Sequence, residues 1–155
     1  IHAEEIIAAN PALTWISITG YGRDEPQANW VAFGDDAGVA AGLSQILLEA
    51  TGEPLFCGDA IADPLTGMHA ALAAWSSYLH GGGELIALSL RDVVAHCIGF
   101  GNALDSRPTI ERFHDWKTAL VGIDARTPQA RAPVGSARAM GADTQTILRE
   151  FAIAC

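Results

Sequence analysis

Two aspartates four residues apart, Asp59 and Asp63, are the side chains whose type and spacing point most directly to chemistry. Residues at this spacing face each other on a helix, but Pro64 places Asp59 outside it, so an acid–base pair is not assured. Asp63 before Pro64 predicts a helix start, with the aspartate as cap and the proline in the first helical position. An ionised carboxylate at that position is favoured by the helix dipole and can form covalent intermediates. From these residues alone, capping is favoured over catalysis.

A glycine pair and an acidic pair lie earlier in the chain. Gly20 and Gly22 directly follow a predicted strand, where α/β sheets bind ligands, but from these residues alone a plain strand-ending turn is the favoured interpretation. Asp35 and Asp36 begin a segment of small residues with helical character. Their position predicts capping and compensation of the helix dipole.

The composition restricts the class of protein. Half of the 155 residues are apolar and 17% are charged, which is typical of a folded domain. The net charge of −9 argues against nucleic acid as a partner, and the apolar runs are too short to span a membrane. Three distant cysteines and five scattered histidines form no metal-ligand spacing, so we expect no metal site. Each histidine alone is interpreted as structural or surface, and a reduced, cytoplasmic location is the default expectation.

The periodicity of apolar residues predicts an α/β domain. Residues 13–19 and 84–90 are rich in β-branched and aliphatic residues and are predicted to be buried strands. A strand, helical crossover and second strand predict a parallel sheet. The helices are predicted at residues 3–9, 34–50, 63–78, 91–104 and 143–151, and residues 55–57 are a possible short strand.

The longest predicted helix, residues 63–78, carries a stripe of large apolar side chains. They recur at three- and four-residue spacing: Leu65, Met68, Leu72, Trp75 and Leu79. This pattern predicts a helix buried in the core.

An ordered series of motifs resembles the class III CoA-transferases (CaiB/BaiF type), the family of formyl-CoA transferase, carnitine CoA-transferase and α-methylacyl-CoA racemase. The series covers residues 3–103. Its motifs are Asn10-Pro11-x-Leu13, Ser17-Ile18-Thr19-Gly20-Tyr21-Gly22, Ala62-Asp63-x-x-x-Gly67 and Ser89-Leu90-x-Asp92. The resemblance implies a parallel-sheet, Rossmann-like α/β core over residues 1–104. An irregular linker, 105–142, would stand in place of the family's small domain, followed by a C-terminal helix, 143–155.

The resemblance also implies a reaction and its residues. Asp63 matches the family's nucleophile, which attacks an acyl-CoA thioester to give a mixed anhydride and then an aspartyl-CoA thioester. Thr19, Gly20 and Tyr21 resemble the segment that lies against CoA. Coenzyme A and acyl-CoA would be substrates, with a carboxylic acid as acceptor and no permanently bound cofactor. Family members are interlocked dimers, so the resemblance implies a homodimer or a complementary chain.

Two departures from the family pattern qualify these expectations. The racemase branch has a histidine in its Gly-His-Asp motif, where this chain has Gly34-Asp35-Asp36, so racemase activity is the weaker alternative. Family members are longer and carry a nucleotide-binding portion before this region. The chain is therefore expected to be a fragment, half of a split enzyme or a degenerate relative. A non-catalytic assembly or CoA-binding module of the same fold is the alternative to a transferase.

Overall fold

The computed structural model describes residues 2–123, 129–130 and 132–152, and this part of the chain forms seven helices and two strands. In chain order they are α1 (Ala3–Ala9), β1 (Trp15–Thr19), α2 (Gly34–Ala40), α3 (Leu43–Thr51), α4 (Ala62–Leu79), β2 (Leu85–Ser89), α5 (Leu90–Leu104), α6 (Thr109–Ala119) and α7 (Thr144–Glu150). The chain divides into two compact units, residues 1–121 and 122–155. The first contains both strands and the helices α1 to α6.

The two strands pair in parallel, which confirms the predicted fold class. Trp15 lies opposite Leu85 and Thr19 opposite Ser89, so both strands end at the same edge of the sheet. Parallel strands need a long crossover connection, and here that connection contains α2, α3 and α4. At the shared edge the Arg91 amide donates to the Gly20 carbonyl (3.1 Å), which joins the turn after β1 to the start of α5.

Both strands are less buried than the sequence predicts. Most of their residues are half-buried, and Ile18 in β1 is 50% exposed. In the described part of the chain each strand has one neighbour in the sheet. Residues 55–57, a possible third strand, have no regular secondary structure.

The helical segment predicted at residues 34–50 is two helices. α2 ends at Ala40, and Gly42 adopts a left-handed conformation (φ +100°) before α3 begins. Glycine enters this conformation without a steric cost, so it ends one helix and redirects the chain into the next.

Two alanines and two larger aliphatic residues form the centre of the core. Ala37, Ala62, Leu90 and Val94 are buried together, on α2, α4 and α5. Alanine side chains let these helices approach closely, and α4 and α5 are the helices in most extensive contact. The N-terminal end of α4 is therefore fixed against the start of α5 and the middle of α2.

The prediction that α4 is buried by its apolar stripe is wrong. Met68, Leu72, Trp75 and Leu79 are 60–67% exposed, and Leu65 alone of the five packs against the core. The buried residues of α4 are instead small: Ala62, Thr66 and Ser77. The helix turns its small residues toward α5 and the sheet, since they allow the closer contact. Its large apolar side chains are left on the surface.

A triplet of glycines, residues 81–83, connects α4 to β2. The Gly82 amide donates to the Ser77 carbonyl (2.9 Å) and the Gly83 amide to the Leu13 carbonyl (3.1 Å), which ties the turn to the segment before β1. Gly82 has φ +75°, and a Cβ atom there would overlap the carbonyl oxygen of Ala12.

Gly82→Ala should therefore destabilise the fold more than Gly81→Ala, its matched control. Gly81 also has positive φ, but nothing lies within 4 Å of the Cβ position, so its substitution carries backbone strain alone, about 1–2 kcal/mol. Gly82→Ala adds a clash with backbone, worth about 1–3 kcal/mol more. Urea unfolding of both variants measures the difference. Equal free energies of unfolding would contradict the predicted contact with Ala12.

A helix lies within residues 105–142, a segment predicted to be irregular. α6 follows Pro108, and Arg107 bridges Asp105 at the end of α5 (2.7 Å) to Asp115 on α6 (2.6 Å). The hydrogen bonds from Arg107 lower the pKa of Asp105 to about 2. In the second unit, α7 begins after Asp143, as predicted, although that side chain pairs with Arg138 instead of capping the helix. The last three residues of the predicted C-terminal helix lie outside the described residues.

Across the described residues, no helix combines the length and apolar character that crossing a bilayer requires.

Candidate active site

Asp63 lies at the N-terminus of α4, but the helix begins one residue before Asp63 and not directly after it, as predicted. Ile61 is the residue before the helix, Asp63 is the second helical residue and Pro64 the third. No side chain caps the helix, so the prediction of Asp63 as N-cap is wrong. Pro64 is tolerated there because amides throughout the first turn lack intrahelical acceptors. Asp63 is exposed, and its carboxylate accepts no hydrogen bond from the described residues.

The carboxylate of Asp63 lies against Gly34, the first residue of α2. A Cβ atom at Gly34 would overlap Asp63 Oδ2 and would lie 2.5 Å from the carbonyl oxygen of Ala60. Gly34 is buried, and only a hydrogen on its Cα leaves room for both oxygens. This contact defines one wall of the Asp63 site.

A tight turn delivers the chain into α4. Gly58 has φ +73°, and Ala60 has φ +48°, which is uncommon for a residue with a side chain. The Asp63 amide donates to the Ala60 carbonyl (3.0 Å), and the Ala60 amide donates to Asp35 Oδ1 (2.8 Å). Asp59 lies exposed in the same turn, outside the helix as predicted.

The acidic pair at the start of α2 has two separate roles. Asp36 Oδ2 accepts from the Phe33 amide (3.3 Å) and so caps its own helix, as the sequence predicts. Asp35 turns away and holds Ala60, 25 residues further along the chain. Sequence reasoning missed this contact, because no local pattern relates residues so far apart.

The glycine turn after β1 packs against the segment that leads to Gly34, the residue that contacts Asp63. Thr19 Oγ1 accepts from the Gly22 amide (3.0 Å), which closes the turn. A Cβ atom at Gly20 would lie 2.8 Å from the Ala32 Cβ, two residues before Gly34. Tyr21 packs edge-on against Trp30, with ring centroids 5.7 Å apart. Residues 30–34 thus lie between the predicted CoA segment and the predicted nucleophile. They contact Gly20 and Tyr21 on one side and Asp63 on the other.

A cavity of about 670 Å³ opens at the same edge of the sheet. Its polar lining includes Ser89 at the end of β2 and the side chains of Arg23, Asp24, His69, Asp92 and His96. The two imidazole rings meet edge-on, with centroids 6.0 Å apart, and His69 Nδ1 lies 2.8 Å from the Leu65 carbonyl oxygen. The cavity has the size of a small-molecule site. No sequence spacing signals this histidine pair, since the two residues come from different helices.

Metal ligands do not converge in the described part of the chain. There, no group of three histidine, cysteine, aspartate or glutamate side chains has the arrangement to hold a metal ion.

Comparisons with known proteins give this geometry a context. Residues 1–111 match the model of CoA-transferase family III. The chain is 30% identical to succinate–glutarate CoA-transferase of Agrobacterium fabrum over 114 residues, 69% of this chain and 28% of that protein. It is 32% identical over 97 residues to formyl-CoA:oxalate CoA-transferase of Escherichia coli, 60% of this chain and 23% of that protein.

Solved structures agree with the sequence matches. A CaiB/BaiF family protein from Brucella suis superposes with a TM-score of 0.56 at 26% identity, covering 67% of this chain and 29% of that one. Rv3272 from Mycobacterium tuberculosis shares the fold, with a TM-score of 0.54 at 19% identity, over 66% of this chain and 30% of its own. The chain spans less than a third of the length of these relatives. On the match over residues 1–111, the chain belongs to CoA-transferase family III.

Proposed function

We propose that this chain provides the aspartyl nucleophile for the transfer of coenzyme A from an acyl-CoA to a carboxylic acid. The observation that carries the proposal is that the carboxylate of Asp63, at the N-terminus of α4, is exposed and makes no capping hydrogen bond with the described residues. It occupies the position of the family's Asp-x-x-x-Gly motif, with Gly67 completing it. A cap would hold its oxygens on backbone amides, whereas a carboxylate free of that bond is available to attack.

The proposed reaction has two half-reactions. An Asp63 oxygen attacks the thioester carbonyl carbon, the C–S bond breaks, and CoA leaves as thiolate from a mixed anhydride. The thiolate then attacks the Asp63 carbonyl carbon, which releases the donor acid as carboxylate and leaves an aspartyl-CoA thioester. The acceptor carboxylate displaces the thiolate to form a second anhydride. Attack of the thiolate on the acceptor's acyl carbon then forms the new acyl-CoA and restores the Asp63 carboxylate.

The surroundings of Asp63 suit these steps. The dipole of the 18-residue helix α4 stabilises negative charge near Asp63, where an oxyanion develops when its carbonyl carbon is attacked. Gly34 leaves no side chain between the carboxylate and α2. In this proposal Thr19, Gly20 and Tyr21 lie along the CoA chain, at the edge of the sheet where α/β proteins bind ligands.

Trapping the aspartyl thioester tests the proposal. The chain is mixed with succinyl-CoA, because it is similar to the succinate–glutarate CoA-transferase of Agrobacterium fabrum, and then with hydroxylamine. The hydroxylamine nitrogen attacks the Asp63 carbonyl carbon and displaces CoA thiolate, which leaves a hydroxamate that peptide mass spectrometry can locate. We expect the label on Asp63.

Asp59→Asn is the matched control, since Asp59 is a second exposed carboxylate four residues away. The label on Asp63 should be unchanged in this variant. A folded chain that acquires no label, or a label at another carboxylate, would overturn the proposal.

A non-catalytic CoA-binding module is the second candidate function. It is supported by the family match over residues 1–111, because binding of CoA does not itself require a reaction at Asp63. If this candidate is correct, calorimetry will show that the chain binds CoA, and hydroxylamine treatment will leave no hydroxamate on Asp63. The same trapping experiment therefore separates the two functions.

A further inference from the structure

We infer that Asp35 is a positioning residue for Asp63, acting through the backbone of Ala60. This inference rests on the proposed function, because it assigns a role around the same nucleophile. The connection consists of two hydrogen bonds in series. Asp35 Oδ1 accepts from the Ala60 amide (2.8 Å), and the Ala60 carbonyl accepts from the Asp63 amide (3.0 Å).

Ala60 needs this support because of its backbone conformation. Its φ of +48° lies in the left-handed region, which residues with a Cβ atom seldom occupy. Its amide and carbonyl are both held, one by Asp35 and the other by Asp63. The two anchors fix the turn that sets the direction in which α4 starts.

The geometry around Gly34 makes the position of this turn critical. Gly34 precedes Asp35 and contacts both the Ala60 carbonyl and the Asp63 carboxylate. The start of α2 thus holds the turn from two adjacent residues, by a side-chain hydrogen bond and by close packing. A displacement of about 1 Å at a reacting group can lower a rate by about 100-fold.

The neighbouring aspartate provides a matched control. Asp36 accepts from the Phe33 amide, within the start of its own helix, and no hydrogen bond among the described residues joins its side chain to the turn. Asp35→Ala and Asp36→Ala remove the same charge from the same helix end. They differ in whether the Ala60 amide loses its acceptor.

The test compares Asp35→Ala, Asp35→Asn and Asp36→Ala in the full chain. The Asn Oδ1 can still accept from the Ala60 amide, so we expect Asp35→Asn to retain the labelling rate of Asp63 within about threefold. Asp35→Ala should lower that rate by about 30- to 100-fold at saturating succinyl-CoA. The succinyl-CoA concentration that gives half the maximal rate should change less. Asp36→Ala should stay within about threefold.

A second measurement does not depend on activity. Hydrogen exchange at the Ala60 amide, followed by NMR, should quicken about tenfold or more in Asp35→Ala and stay near the native rate in the other two variants. Equal losses of labelling in Asp35→Asn and Asp35→Ala would overturn the inference in favour of a role for the charge. Native exchange at Ala60 in Asp35→Ala would overturn it as well. Absence of label in the native chain would instead refute the proposed function, while the exchange data would still decide the positioning contact.

Discussion

Asp63→Asn is expected to reduce hydroxamate labelling and CoA transfer by at least about 10⁴-fold, because an amide cannot replace the attacking carboxylate. Asn has nearly the same shape as Asp, so contacts with Gly34 and Ala60 can be kept. Labelling is measured with succinyl-CoA, and folding by circular dichroism and urea unfolding. Activity should be lost from a chain that remains folded.

The stability of Asp63→Ala separates the catalytic role from capping. Loss of an N-cap costs about 1 kcal/mol, but Asp63 makes no capping hydrogen bond. We therefore expect the free energy of unfolding of Asp63→Ala to fall by about 0.5 kcal/mol or less. A loss of 1 kcal/mol or more, with labelling retained in either Asp63 variant, would show that the residue is a cap and not a nucleophile.

Gly34→Ala is expected to impair both activity and stability. Its Cβ would overlap Asp63 Oδ2 and approach the Ala60 carbonyl oxygen at 2.5 Å, so the turn or α2 must move. Overpacking of this kind costs about 1–3 kcal/mol. Because the displaced group is the nucleophile itself, the labelling rate should fall by about 100-fold.

Gly38→Ala is the matched control on the same helix. Gly38 is also buried, but its Cβ would meet side-chain atoms at ordinary distances, the Ile61 Cγ2 at 3.4 Å and the Leu43 Cδ1 at 3.6 Å. Alanine is favoured over glycine inside a helix by about 1 kcal/mol, so this variant should be as stable as the native chain or more so. If Gly34→Ala behaved like Gly38→Ala, the close contact with Asp63 would be disproved.

The sequence predicts the sheet well because its signals are local. β1 and β2 are runs of aliphatic and β-branched residues, and both lie inside the predicted segments. Their parallel pairing follows from the long helical connection, since a short turn could join only antiparallel neighbours. The break at Gly42 was missed because alanine and leucine on both sides favour a helix, and one glycine does not by itself specify a left-handed residue.

The site is harder to predict, because its key contacts join distant residues. The position of Asp63 follows from a motif, but its freedom from capping depends on the helix starting at Ala62, before the aspartate. A proline is acceptable anywhere in the first turn, so Pro64 does not fix that start. The Asp35–Ala60 hydrogen bond and the His69–His96 pair come from tertiary packing, to which neither helical nor strand periodicity refers.

The apolar stripe of α4 shows the limit of periodicity in another way. A three- and four-residue pattern identifies one face of a helix as apolar, but not what covers that face. In the first unit the small residues of α4 meet α5 and the sheet, and Met68, Leu72 and Trp75 stay exposed.

This exposed stripe determines how copies of the chain behave toward one another in solution. From Pro64 to Leu79, α4 contains no aspartate, glutamate, lysine or arginine, while the whole sequence carries a net charge of −9. Copies therefore repel at long range through their charge and attract at short range through an uncharged apolar surface. Salt shortens the reach of the repulsion to about 10 Å at 0.1 M and leaves the attraction in place. We therefore expect the colloidal stability of the chain to be greatest in dilute buffer and to decline as ionic strength rises.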